Sequence, residues 1–152
     1  MQNSTSKVRV LTGTAMLGAV AAVLMYLEFP IPIMPAFVKL DVSELPALIA
    51  SFAYGPVSGI LVCLIKNLIK LPSTSTAAVG ELFNFVMGAL FVGVAGLIYK
   101  RNKTRKGAIV GALLGALVMA VVSVPYNYFI VYPAYVVMYH LPLDAIIGMY
   151  QA

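Results

Sequence analysis

The sequence predicts an all-α membrane protein, a bundle of transmembrane helices that forms a single domain over residues 1–152. Of these residues, 62% are hydrophobic and only 10% are charged, and the mean hydropathy is +0.98. Soluble domains have roughly 45–50% apolar and about 25% charged residues. One core cannot hide this much apolar surface, so the bilayer must be the solvent of the protein.

The first helix is predicted at about 7–28, after a short polar tail. Small residues recur along it at four-residue spacing: Thr14, Gly18 and Ala22, with Ala15 and Ala19 beside them. Such a pattern is typical of membrane helices that approach a neighbour closely. Prolines 30, 32 and 35 follow, so the apolar stretch 29–40 is predicted to be a loop.

Two short helices are predicted next, at about 42–54 and 57–70, separated by Gly55-Pro56. The first is expected to open with a capping box, with Asp41 as the N-cap and Glu44 three residues later. Each helix has roughly 14 residues and is about 21 Å long. Neither spans a hydrocarbon core of about 30 Å without tilt, help from a loop or protein cover.

Two full-length helices follow, at about 78–99 and 107–130, with the basic run 100–106 between them. Gly107, Gly111 and Gly115 repeat every four residues, which predicts that the last helix packs tightly on a neighbour. The stretch 132–141 is predicted to be an aromatic loop, and 142–150 a short interfacial helix.

The positive charges predict a topology. Lys7 and Arg9 place the N-terminus on the cytoplasmic side, and four crossings bring the run 100–106 back to that side. Most of the ten basic residues are explained in this way, so the net charge of +5 does not indicate a nucleic-acid partner. We expect a multi-pass protein of the cell membrane with a cytoplasmic N-terminus.

A few polar side chains lie at membrane depth, near the outer ends of the third, fourth and fifth helices. They are Lys66, Asn67, Glu81, Asn84 and Asn127. Isolated charges in lipid are costly, so these residues are predicted to converge on one cavity open to the outside. The alternative for Lys66 is a structural ion pair with Glu81. Asn84 and Asn127 are expected to contact a ligand.

Asn127 has the most distinctive surroundings, between two prolines and among tyrosines 126, 128, 132 and 135. A carboxamide offers one donor group and one acceptor, which suits the edge of a flat heterocycle. Tyrosines such as Tyr128 could stack on the ring. The expected ligand is therefore small and planar.

Several functions are excluded by missing motifs. The sequence has no nucleophile elbow, no His-Glu-x-x-His and no phosphate-binding loop, so the chain cannot hydrolyse ATP itself. The single Cys63 and the single His140 have no partners at the spacing of a metal site or a disulfide framework. No metal or cofactor is expected.

Five segments together resemble the riboflavin-specific substrate-binding (S) component of energy-coupling factor (ECF) transporters. They are KLDVSELPALI (39–49), FAYGPVSG (52–59), IKNL (65–68), GELFNFVMG (80–88) and NYFIVYPAY (127–135). The resemblance implies a six-helix membrane fold, of which this sequence holds five helices and is expected to lack the sixth. It also implies capture of riboflavin from outside, and assembly with a transmembrane coupling protein and two cytoplasmic ATPases.

The resemblance also implies roles for particular residues. Asn127 would bind the isoalloxazine edge, with Tyr128 beside it. The ribityl side would be lined or closed by Lys66, Asn67, Glu81, Asn84 and the first loop at Val38, Lys39, Leu40 and Asp41. The segment around Ala15, Ala19 and Ala22 is similar to the patch on which S components dock to the coupling protein.

Three other interpretations remain at this point. One is an S component for a different vitamin, and another is a structural membrane subunit without a ligand of its own. The third is a membrane enzyme acting on lipid or prenyl substrates. That enzyme would need paired carboxylates, for which only Asp41, Glu44 and Glu81 are candidates.

Overall fold

The computed structural model describes residues 2–27, 29–30, 39–40, 42–73, 79–131, 133 and 136–137. Within them the chain forms five α-helices: α1 Gln2–Tyr26, α2 Glu44–Tyr54, α3 Pro56–Lys70, α4 Val79–Arg101 and α5 Arg105–Tyr126. This confirms the predicted all-α helical bundle. The predicted interfacial helix at 142–150 lies outside the described residues.

Short elements join the helices. Phe29–Pro30 (β1) pairs antiparallel with Lys39–Leu40 (β2), which brings the two ends of the first loop together. Leu71–Ser73 extends α3 as a 3-10 turn, and Asn127–Val131 continues α5 as a π-helical segment. The π segment follows Pro125, which has no N–H to donate within α5.

Contacts between the helices fix their directions. The Tyr26 hydroxyl, at the end of α1, lies 3.1 Å from Ser73 Oγ just past the end of α3, so α1 and α3 are parallel. The chain reverses between α2 and α3 at Gly55, whose φ of +109° is a conformation that favours glycine. α4 then runs back along α3, and α5 back along α4.

The bundle therefore has two distinct ends. The end that we call the basic end holds the first turns of α1, the Gly55 turn and the loop between α4 and α5. Its exposed cations are Lys7, Arg9, Lys100, Arg101, Lys103, Arg105 and Lys106. The other end, the loop end, holds the β1–β2 pair, the start of α2 and the π segment. The N-terminal cations and the 100–106 run thus share one end, as the topology argument requires.

Within the described residues, four helical segments are long and apolar enough to cross a membrane: Ser6–Tyr26, Pro56–Ser73, Val79–Arg101 and Arg105–Ile130. The 3-10 turn after α3 gives the second of these segments a length that the short predicted helix lacked. α2 has only 11 residues, about 16 Å. It packs against α1, α3 and α4, and its Ala47 and Ala50 are fully buried. Of the predicted alternatives for this short helix, which were tilt, help from a loop or protein cover, the structure shows cover on the face that holds Ala47 and Ala50.

The small residues of α1 lie on two different faces. Thr14, Gly18 and Ala22 are buried inside the bundle, where Gly18 meets Ile65 of α3. Ala15 and Ala19 are exposed. The prediction that Ala22 belongs to the docking surface is wrong, because Ala22 is only 4% exposed and packs within its own protein.

α5 packs on α4 through a row that we call the glycine seam: Gly107, Gly111 and Gly115. A Cβ on Gly111 would lie 2.8 Å from the Ala95 carbonyl oxygen, and one on Gly115 would lie 2.6 Å from that of Phe91. Backbone meets backbone at this seam. The predicted tight packing of the last helix is confirmed.

The start of α2 differs from the predicted capping box. Ser43, with φ −69° and ψ −13°, is the N-cap residue, and its side chain makes no capping hydrogen bond. The assignment of Asp41 as the N-cap is therefore wrong. A side-chain cap is found instead at α5, where the Gly107 amide donates to Thr104 Oγ at 3.0 Å.

Candidate functional site

The main polar feature of the described interior is a cluster that we call the polar node: Ser43, Glu44, Lys66, Asn67 and Asn84. Lys66 is fully buried, and its ammonium donates to Ser43 Oγ and to Glu44 Oε1, both at 2.6 Å. The Glu44 side chain is 25% exposed. A buried ammonium is tolerated only with such partners, so the node joins α2 firmly to α3.

The Glu44 carboxylate lies between α2, α3 and α4. The Cys63 thiol donates to Glu44 Oε2 at 3.5 Å. On the α4 side, a Cβ on Gly88 would lie 2.6 Å from Glu44 Oε1, so a side chain at this position would displace the carboxylate from where it lies. The ion pair is thereby fixed at a junction of three helices.

Asn67 and Asn84 extend the node between α3 and α4. The Asn67 amide donates to the Cys63 carbonyl at 2.8 Å and to Asn84 Oδ1 at 3.4 Å. Among the described residues, Asn67 Oδ1 is buried without a hydrogen-bond partner. Buried polar atoms are normally bonded. This oxygen can therefore accept a hydrogen bond from a ligand hydroxyl or N–H group.

A groove of about 250 Å³ lies beside Asn67, between α3 and α4. It is lined by Leu64, Asn67, Leu68, Leu71, Glu81, Leu82 and Phe85. Its volume is a little below the roughly 300–1,000 Å³ of drug-sized pockets. An apolar lining with one amide and one carboxylate suits part of a ligand that has an apolar body and polar substituents.

Glu81 is nearly buried in the first turn of α4. Its negative charge attracts the ammonium of Lys70. The Lys70 ammonium also donates to the Met25 carbonyl of α1 at 3.3 Å. The sequence had suggested Glu81 as the structural partner of Lys66. The structure places Glu44 on that ammonium.

The two candidates on α5 lie apart from the node. Asn127 is half-buried, and its amide donates to the Ser123 carbonyl one turn earlier at 2.9 Å. Tyr128 is 63% exposed and makes an edge contact with Phe129, with ring centroids 5.2 Å apart. Among the described residues, no hydrogen bond joins Asn127 to the polar node. Both residues do lie at the loop end, as predicted.

The first loop is described only at its two ends. Lys39 and Leu40 form β2, three residues before Ser43. Val38 and Asp41 lie outside the described residues. The described part of the predicted first-loop site, Lys39–Leu40, is therefore close to the node along the chain, whereas Ser43 and Glu44 themselves were missed as interior partners. A buried lysine in α3 needs a carboxylate, and this need was the available sequence signal for Glu44.

Metal chemistry has no support in the part of the chain that the structure describes. No group of three or more His, Cys, Asp or Glu side chains lies close enough together to hold an ion.

Comparisons with known proteins identify the family to which the chain is similar. The family model "ECF transporter, substrate-specific component" matches residues 9–152. Riboflavin transporter RibU of Staphylococcus aureus is 39% identical over 127 residues, which are 84% of this chain and 67% of that protein. Riboflavin transporter FmnP of Bacillus subtilis is 38% identical over 139 residues, which are 90% and 73% of the two proteins.

A solved structure gives the same result. The S component of a bacterial ECF transporter superposes with a TM-score of 0.78 and 37% identity. The match covers 98% of this chain and 85% of the other.

Proposed function

The chain belongs to the family of substrate-specific components of ECF transporters, and from this membership we propose that it is the membrane-embedded riboflavin-binding subunit of such a vitamin uptake transporter. The observation that carries the proposal is its 38–39% identity to riboflavin transporters over 84–90% of its length. The chain is not an enzyme. Riboflavin is its transported ligand and not a cofactor.

The chemistry of riboflavin suits the loop end of the bundle. The ring is flat and uncharged, and its pyrimidine edge presents an N–H between two carbonyls, which the Asn127 amide matches with two hydrogen bonds. Tyr128 lies beside Asn127 and covers a ring face. Asn84, Glu81 and the unpartnered oxygen of Asn67 can take the ribityl hydroxyls. Val38, Lys39, Leu40 and Asp41 complete the site from the first loop.

The two ends of the bundle support the proposed orientation. The basic end is cytoplasmic by the positive-inside rule, so the loop end faces outside and receives the vitamin in the cell membrane. In this proposal a transmembrane coupling protein and two cytoplasmic ATPases supply the energy, as membership of the ECF transporter family implies. The exposed Ala15 and Ala19 of α1 form the docking face for the coupling protein.

A riboflavin titration of detergent-purified protein, followed by quenching of flavin fluorescence, tests the proposal. We expect saturable one-to-one quenching, and no competition from thiamine, biotin or folate. Competition by one of these vitamins, or the absence of quenching, would contradict the riboflavin assignment.

Asn127→Ala is expected to weaken riboflavin binding by about 1–3 kcal/mol, because groups on the ring edge lose their partner. Asn102→Ala is the matched control, since Asn102 is an exposed amide at the basic end. Its dissociation constant should equal that of the wild type. An unchanged dissociation constant for Asn127→Ala would remove Asn127 from the site.

A further inference from the structure

The polar node contains a buried cation that the proposed function does not need as a ligand contact. Lys66 has no exposed surface, and its ammonium is bonded to Ser43 and Glu44. A group so enclosed cannot reach a vitamin that enters from the loop end. The sequence predicts that Lys66 lines or closes the ribityl side, and its bonds to Ser43 and Glu44 support a role in which it need not touch the vitamin.

We propose that Lys66 is a positioning residue: it holds β2 and the first turn of α2 in place against α4, and thereby sets how long riboflavin stays bound. This inference rests on the proposed function. It concerns the relative placement of two binding elements and assigns Lys66 no contact with the vitamin.

On one side, Lys66 controls the segment that follows β2. Ser43 stands at the N-cap of α2, yet its hydroxyl makes no cap and accepts instead from the Lys66 ammonium. Only two residues separate Ser43 from Leu40, whose backbone pairs with Phe29. The bonds from Lys66 to Ser43 and Glu44 therefore act where the first loop meets α2.

On the other side, Lys66 is connected to α4. Its sequence neighbour Asn67 donates to Asn84, and Glu44 rests against Gly88, one turn further along α4. Lys39–Leu40 and Asn84, which we assign to the vitamin, are thus each linked to the ion pair, the first through Ser43 and the second through Asn67. Breaking that pair would leave a charge buried without a partner, so the arrangement resists small displacements.

Two serines on α2 allow a matched test. Ser43→Ala removes one bond to Lys66 at the start of the helix and leaves the Lys66–Glu44 ion pair to support folding. Ser51→Ala makes the same change nearer the basic end, where the buried Ser51 hydroxyl donates to the Val92 carbonyl of α4 at 2.7 Å. Both variants lose a buried hydrogen bond of α2, but only Ser43 lies next to β2.

The measurements are the riboflavin dissociation rate, followed by recovery of flavin fluorescence, and the thermal midpoint of each variant in detergent. Ser43→Ala is expected to speed dissociation roughly three- to tenfold, because lost contacts appear mainly in the dissociation rate. Ser43→Thr, which keeps the hydroxyl, should restore the slow rate. Ser51→Ala should lower the midpoint while the dissociation rate stays within about twofold of wild type.

Equal acceleration in the two alanine variants would show a purely structural role and overturn the proposal. An unchanged rate in Ser43→Ala would also overturn it, while riboflavin binding by the wild type would leave the proposed function standing. If the wild type binds no riboflavin, the proposed function fails, and the positioning role fails with it.

Discussion

α4 is held on two sides by opposite means. On one side the glycine seam brings the α5 backbone against the α4 backbone, through Gly111 on Ala95 and Gly115 on Phe91. On the other side the polar node joins α2 and α3 to α4 with an ion pair and a chain of amides. One contact depends on the absence of side chains, and the other depends on particular side chains.

The difference between the glycine seam and the polar node reflects the lipid that surrounds the helices. Lipid tails are as apolar as leucine, so burying apolar surface gives membrane helices little reason to associate. Close backbone approach and interhelical hydrogen bonds provide the remaining driving force. Adding atoms at the glycine seam should therefore lower the stability of the protein, and so should removing one partner from the polar node.

The largest effect is expected from Lys66→Met, which leaves the Glu44 carboxylate without its cation. Breaking a buried pair in this way costs about 3–5 kcal/mol of the free energy of unfolding. Denaturant unfolding in detergent micelles would measure the loss. Leu68→Met, on the lipid-exposed face of α3, is the control and should change little.

The double variant Lys66→Met with Glu44→Leu sharpens this prediction. It removes both charges, so most of the lost stability should return. If the double variant is less stable than Lys66→Met alone, the node is held by packing and not by its charges.

A smaller effect is expected at the seam. Gly111→Ala would put a Cβ against the Ala95 carbonyl and force α5 away from α4, at a cost of about 1–3 kcal/mol in unfolding free energy. Gly93→Ala on α4 is the control, because its Cβ would meet Ile60 at an ordinary 3.6 Å. That variant should be as stable as wild type or slightly more so. Similar losses in both would contradict close packing at Gly111.

The smallest effect concerns the end of the seam. Thr104→Ala removes the cap on the Gly107 amide and should cost about 1 kcal/mol. Faster hydrogen exchange at the first turn of α5 would report the loss, and Thr104→Ser should exchange like wild type. Unchanged exchange in Thr104→Ala would mean that packing alone orders this turn.

The seam was predictable from the sequence, and so was the closeness of Asn67 and Asn84 in the node, but the partner of Lys66 was not. The repeat of Gly107, Gly111 and Gly115 lies within one helix, where spacing alone fixes a shared face. The partner of Lys66 depends on how three helices meet. α3 and α4 are antiparallel, and the register that pairs Asn67 with Asn84 brings Glu81 level with Lys70 and not with Lys66. Glu44 reaches Lys66 from α2, and the sequence does not reveal how α2 packs.

The error at Ala22 has a related cause. Thr14, Gly18 and Ala22 form one small-residue face of α1, and Ala15 and Ala19 form another. In a soluble protein, polar residues would mark the outer face. In lipid both faces are apolar, so the sequence shows two possible contact surfaces without showing which is internal.

The seven cations of the basic end determine how long the protein keeps its orientation in the membrane. Each charged residue costs about 2.5–3.5 kcal/mol or more at the centre of a bilayer, and inverting the bundle would carry all seven through it. The barrier makes spontaneous reversal negligibly slow. Sidedness is thus settled once, during insertion, and is afterwards preserved kinetically, whatever the relative stability of the two orientations.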